Sequence, residues 1–237
     1  MAEQASATSL PWTKSTEVWF DDGNIILVAG GEGFRIFRGI LAQQSPIFAD
    51  MLKVPQPTAT SGEIMYDGCP VVFMPDTALE TKHFMKALHD IGSMESFSPP
   101  NSLDPATIYA IDDIIRLSMK YEVTRLVAVM CNALSQCFPA SYDDFCKAYV
   151  TLQKMPAGES FMLATTLRAS GSAGRKLLPP VLLLCAHQEL SQILDGVAYT
   201  HRDGWSELDV QTKRAVLLAR SKLHNMALGP RKATPAP

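Results

Sequence analysis

Ile25 to Ala29 (IILVA) is an apolar run dominated by β-branched residues, and GGEG at 30 to 33 follows it directly. The run has the side chains that favour a strand, and the glycines tolerate the positive φ of a tight turn. Phe34 to Phe37 then alternates apolar and basic, as a half-buried strand should. The three pieces predict a β-hairpin. Two short helices are expected straight after it. Ile40, Leu41 and Ala42 give the first an apolar face, and Ser45-Pro46 supplies an N-cap and a first helical residue for the second. Ile47, Phe48, Met51 and Leu52 fall at helical spacing, and Pro55 and Pro57 end that helix.

Downstream, residues 55 to 70 mix Pro, Gly, Ser and Thr and read as a surface connection, with Val71 to Met74 as a short buried strand. Thr77 and Glu80 form a capping-box pattern for a helix lined by Leu79, Phe84, Leu88 and Ile91. After a loop at 92 to 102, Asp104-Pro105 opens a helix with Ile108, Ile111, Ile115 and Met119 spaced by three and four. Past Pro139 the chain predicts helices over Tyr142 to Leu152, Phe161 to Ala169, Pro180 to Leu190 and Val210 to Met226. Their apolar content is too high for a disordered segment, so a packed helical extension is expected. The N-terminal stretch is small and polar, reads as a loose arm and carries no secretory pattern.

At 237 residues and 47% apolar the chain can bury a substantial core, enough for one or two domains. A net charge of −3 gives no drive toward nucleic acid or an anionic membrane surface. The longest apolar clusters, such as Val181 to Ala186, are far short of the ~20 residues a membrane span needs. Cysteines 69, 131, 137, 146 and 185 make an odd set without paired short spacing, which points to free thiols in a reducing, intracellular setting, cytoplasmic or nuclear.

Sites of chemistry are weakly represented. His83, His89, His187, His201 and His224 lack metal-ligand spacing, and Cys185 and His187, two apart on a helix, point in different directions. GSAGRK at 171 to 176 lacks the four residues between glycines that a phosphate loop requires and reads as a flexible basic loop. The doublets Asp21-Asp22, Asp112-Asp113 and Asp143-Asp144 are expected as solvated or capping acids, and the spaced cations from Lys213 to Lys232 as a solvated face. No cofactor, metal or catalytic residue is expected, and no repeat of 20 to 50 residues is present.

Asp22 followed by FRIFRGILAQQSPIFADML is similar to the BTB/POZ pattern, with matches at Phe34, Ile36, Arg38, Ile40, Leu41, Ser45, Phe48 and Met51. Phe37 stands where most members have His, and Gly23-Asn24 interrupts the strand that usually follows the Asp. Lys120-Tyr121, with Ser118, Thr124, Leu126 and Leu134, resembles the family's closing helix pair. DGCPVV with an acidic cap looks most like the stand-alone BTB proteins of fungi. The resemblance implies an α+β chain: an arm at 1–16, a BTB/POZ core of a small mixed sheet covered by helices at 17–138, an all-helical extension at 139–228 and a tail at 229–237. It implies a non-enzymatic protein-interaction module acting as scaffold, regulatory partner or oligomerisation unit. The alternative it offers is a substrate adaptor for a cullin-based ubiquitin ligase. That alternative is disfavoured because residues 53 to 70 hold only Glu63, preceded by Ser61-Gly62, where cullin binders often carry an [apolar]-x-Glu motif. Expected partners are other proteins, a second copy of the chain or a cullin. Self-association is expected through a face containing Asp22 and Arg38, the positions that match the family's charged pair.

Overall fold

A computed structural model describes residues 11–53, 64–90, 104–139, 141–200 and 202–227. The predicted hairpin is present as β2 (Ile25–Ala29) and β3 (Glu32–Ile36), antiparallel from Ile25↔Ile36 to Ala29↔Glu32. Gly30 and Gly31, at φ of 53° and 80°, make the turn, and glycine adopts both positive angles without the cost a Cβ would add. All five residues of β2 are buried, which follows from its place in the middle of a five-stranded sheet ordered β1-β3-β2-β5-β4. β5 (Cys69–Met74) runs parallel to β2, and β1 (Thr13–Trp19) runs parallel to β3.

Three expectations change here. Residues 13–16, assigned to a loose arm, are paired into the sheet, and Trp12 beside them is 4% exposed. The 55–70 connection contains β4 (Met65–Tyr66), joined to β5 by a turn with Asp67 and Gly68 at φ of 49° and 73°. Asp-Gly is a strong hairpin dipeptide, so that signal was in the sequence. Finally, β5 is not a buried strand: Cys69 is covered, but Phe73 is 54% exposed.

The helices α1 (Arg38–Gln44), α2 (Pro46–Lys53) and α3 (Ala78–His89) follow as expected, with the Thr77–Glu80 capping box formed in both directions. Phe84 and Leu88 of α3 are buried, whereas Leu79 is 45% exposed and Ile91 lies outside the described residues. Two further helices, α4 (Pro105–Lys120) and α5 (Thr124–Cys137), complete the expected middle of the chain.

By packing, the chain divides into two compact units, Met1–Ile91 with Leu117–Leu126, and Gly92–Arg116 with Val127–Pro237. The division therefore falls elsewhere than the expected boundary at 138. In the first unit the inner face of the sheet (Ile25, Leu27, Phe34, Ile36) is fully buried together with Leu41, Phe48 and Phe84. Tyr121 locks this core. Its ring stacks on Phe48 at 4.6 Å and on Phe84 at 5.8 Å. The Ser45 hydroxyl donates to the Tyr121 carbonyl at 2.6 Å and accepts from the Phe48 N–H at 3.1 Å. The Tyr121 phenol and the Lys120 ammonium both reach Asp76, at 2.5 Å each.

The second unit is built on α7 (Ala157–Ala169), which is buried on nearly every side, its polar Glu159, Ser160 and Thr166 included. Beside it in the chain come α6 (Tyr142–Leu152), α8 (Gly171–Arg175), α9 (Leu178–His187), α10 (Leu190–Asp195) and α11 (Val210–Ala227). The 171–176 stretch is thus a short helix at its start and not a loop. Nor is the C-terminal region all helical: β6 (Val197–Ala198) and β7 (Trp205–Ser206) form a small antiparallel hairpin. Gly158, in the first turn of α7, admits it, since a Cβ there would stand 3.0 Å from the Ala198 carbonyl oxygen.

Replacing Ser45 by Ala strands the Tyr121 carbonyl and an α2 N–H in a fully buried place. The expected loss is about 2 kcal/mol of stability in the first unit, read as a lowered urea midpoint from the indole fluorescence of Trp12 and Trp19.

Candidate functional site

Two places stand out, one for exposed apolar side chains and one for buried charges. The first is the outer face and edge of the sheet. Strand alternation puts Lys14, Trp19, Ile26, Val28, Cys69, Val71 and Phe73 on that face, opposite the helix-covered one. Trp12, Ile26, Val28 and Cys69 form a small buried cluster there, with Trp19, Tyr66 and Val71 packed against it. Toward the β4 edge the cover ends. Ile64, which accepts from the Val71 N–H, is 48% exposed, and Met65 is 53% exposed. With Phe73 of β5, Ile64 just before β4 and Met65 within it make three large apolar side chains left exposed at this end of the sheet.

Asp22 and Arg38 lie in this unit, but the chain does not bring them together. Asp22 is exposed in the turn between β1 and β2. Arg38 opens α1, receives its backbone cap from the Asn24 side chain at 2.8 Å, and donates its guanidinium to the Leu52 carbonyl near the end of α2. Among the described residues no ion pair joins them: Asp22 sits in the turn closed by the Gly23 N–H on the Phe20 carbonyl, and the Arg38 guanidinium is engaged on Leu52. The His89 Nε2 accepts from the Phe37 N–H at 3.5 Å, its Nδ1–H donates to the Met85 carbonyl at 2.9 Å, and its ring stacks on Phe20. Burial lowers the His89 pKa, keeping the ring neutral for that role.

The second place is in the helical unit and was missed in the sequence. Asp112 and Asp113, expected in solvent, are both fully buried. Tyr109, Asp112, Asp113 and Arg116 recur at three- and four-residue spacing, which gives α4 a polar stripe beside its isoleucine stripe. Asp113 meets Arg202 at 3.0 Å and Arg116 at 3.6 Å, and Asp112 meets Arg116 at 3.3 Å and accepts from Thr166 at 2.5 Å. The Arg202 guanidinium also lies over the rings of Tyr109 and Tyr199, at 4.6 and 4.8 Å. Glu159, equally buried, accepts from Tyr109 and from the N–H and hydroxyl of Thr200. The cluster thus ties the β6–β7 loop to α4 and α7 by ions and hydrogen bonds.

Burial raises the Asp112 pKa to about 6, against the opposing pull of Thr166 and Arg116. Asp112 and Arg116 border a cleft of about 230 Å3 with Met162, Thr166, Tyr199 and Trp205. Such a carboxyl can exchange a proton with a small guest near neutral pH. The fused acid doublet gave no hint of this, because its burial depends on Arg202, some ninety residues later in the chain.

Cys185 and His187 have separate partners. Cys185 is buried, its thiol is pushed up to about 12 by burial, and it faces the Ser160 carbonyl, while His187 is exposed and bonds to Leu183. Arg220, expected on a solvated face, donates to the carbonyls of Ala186 and Gln188 at the end of α9. Arg231, Lys232 and His201 lie outside the described residues. Among the described residues no group of three or more His, Cys, Asp or Glu could hold a metal ion, and no helix is long and apolar enough to cross a membrane. No protein-family model matches the chain, and no curated protein matches it in sequence.

Two measurements follow from these placements. Because the folded pKa of Asp112 lies above its ordinary value, the folded chain keeps a proton that the unfolded chain has lost. Stability from this group is full below the ordinary carboxylate range and falls as pH rises through about 6. Asp112→Asn should flatten that part of the urea-midpoint profile against pH. Separately, Arg38→Ala should cost about 1 kcal/mol of stability through the lost α2 cap. Asp22→Ala should stay within about 0.5 kcal/mol of the parent, as an exposed turn residue does, in the same denaturation assay.

Proposed function

We propose that the chain is a non-enzymatic protein-interaction module of BTB/POZ type, whose first mode of action is association with a second copy of itself. The observation that carries this is the β4–β5 edge of the sheet, where Ile64, Met65 and Phe73 expose large apolar side chains and the far side of β4 has no strand partner among the described residues. An open strand edge offers main-chain hydrogen bonds, and apolar side chains next to it offer the desolvated contact that makes such pairing specific.

The order of elements supports the family assignment. A β-hairpin runs directly into two short helices, and a strand parallel to the first hairpin strand leads into a capped third helix. Side chains singled out by the resemblance also meet in space: Ser45 and Phe48 from one end of the pattern contact Tyr121 from the other. A non-enzymatic role accords with the buried Cys185, turned away from His187, and with acids in the helical unit that are engaged by arginines.

Sedimentation velocity of the purified chain over a micromolar concentration series tests the proposal. The parent chain should self-associate, and Phe73→Glu should remain monomeric with an unchanged far-ultraviolet spectrum and urea midpoint. A parent chain that stays monomeric throughout, or Phe73→Glu and Met65→Glu variants that associate like the parent, would overturn it.

A further inference from the structure

We propose that the corner between Trp19 and Tyr66, on the outer face of the sheet, is a binding site for methylated ammonium groups, occupied in the resting chain by its own Lys14. The Lys14 Nζ sits 4.7 Å from the centroid of the Trp19 ring and 5.2 Å from that of Tyr66. The two rings are 6.5 Å apart and inclined at 74°, so two electron-rich faces look onto one point. That is the geometry in which a cation is held by rings rather than by a carboxylate.

The walls of the corner are built, not incidental. Trp12 stands behind both rings, 5.3 Å from Tyr66 at 75° and 6.3 Å from Trp19. It is pressed onto β3 at Gly33, where a Cβ would come within 2.4 Å of the indole. Any other residue at 33 would push the Trp12 ring off the sheet and remove the backing. The Nε1–H of Trp12 finds no acceptor among the described residues, so packing on the neighbouring rings, on Gly33 and on Ile26, Val28 and Cys69 keeps the wall in place.

The resident cation is loosely held. Lys14 is exposed and makes no ion pair among the described residues. It stands on an edge strand whose register with β3 is interrupted between Lys14 and Trp19. A primary ammonium is strongly hydrated and gives up water to sit against rings. N-methyl groups lower that cost and add apolar contact with the ring faces while keeping the charge, so a methylated ammonium competes well against Lys14. The site does not depend on self-association, and its test reads a different property.

The test uses the 15N-labelled 237-residue chain and follows its three indole N–H resonances during titration with tetramethylammonium chloride against a sodium chloride control. Trp205, which belongs to the helical unit, is the internal reference. The Trp19 signal should shift and saturate while Trp205 does not. Lys14→Ala should tighten binding by roughly tenfold, since a competing cation–π contact has been removed. Tyr66→Leu, which keeps apolar volume but removes one ring face, should abolish saturation. A trimethyl-lysine peptide that binds more tightly than tetramethylammonium, with no binding by its unmodified counterpart, assigns the guest to a protein tail. Equal or weaker peptide binding assigns it to a free quaternary ammonium compound. Absence of saturation in both the parent and Lys14→Ala, or saturation that persists unchanged in Tyr66→Leu, would overturn the proposal.

Discussion

The hydroxyl of Ser45 joins parts of the first unit that are 76 residues apart in sequence. One small side chain caps α2 and at the same time anchors the backbone at Tyr121, whose ring fills the space between Phe48 and Phe84. A larger residue at 45 would separate those rings, and a smaller one would leave two buried backbone groups without partners. The inner face of the sheet can be dry only because this closure holds.

Local chemistry was legible where it was self-contained. The glycine turn at 30 to 33, the serine-proline start of α2 and the Thr77–Glu80 capping box each act over a few residues, and each formed as the sequence implied. Tertiary pairing was not legible in the same way. The stretch Thr13–Trp19 alternates too weakly to read as a strand, yet Trp12 lying on Gly33 and the partner β3 hold it in the sheet. The β4 hairpin was overlooked because its Asp67-Gly68 turn is surrounded by residues that also suit loops.

The acid doublet at 112 and 113 illustrates a different limit. A charged residue on a helix is ordinarily solvated, and only a counter-charge delivered from elsewhere reverses that. Here Arg116 comes from the same helix, one turn away, but Arg202 comes from a loop whose position depends on Gly158 letting the β6–β7 hairpin lie against α7. The polar stripe on α4 could have been noticed from its spacing alone. Its burial could not, since α7 and the loop had to be placed first. For the expected Asp22 and Arg38 face, Asp22 lies in the exposed turn after β1, while Arg38 donates to the Leu52 carbonyl.

The central position of β2 has a kinetic side. Its partner on one edge, β3, is reached through a two-glycine turn, whereas its partner on the other edge, β5, is synthesised much later, with Ile26 pairing to Val71. As the chain emerges from a ribosome, the hairpin forms in microseconds, but the far edge of its most apolar strand stays open until some forty further residues have been added. For several seconds of translation the nascent sheet presents five consecutive buried-type side chains beside unpaired amides, and the helices α1 and α2, which are complete before β5, are the first material able to shield them.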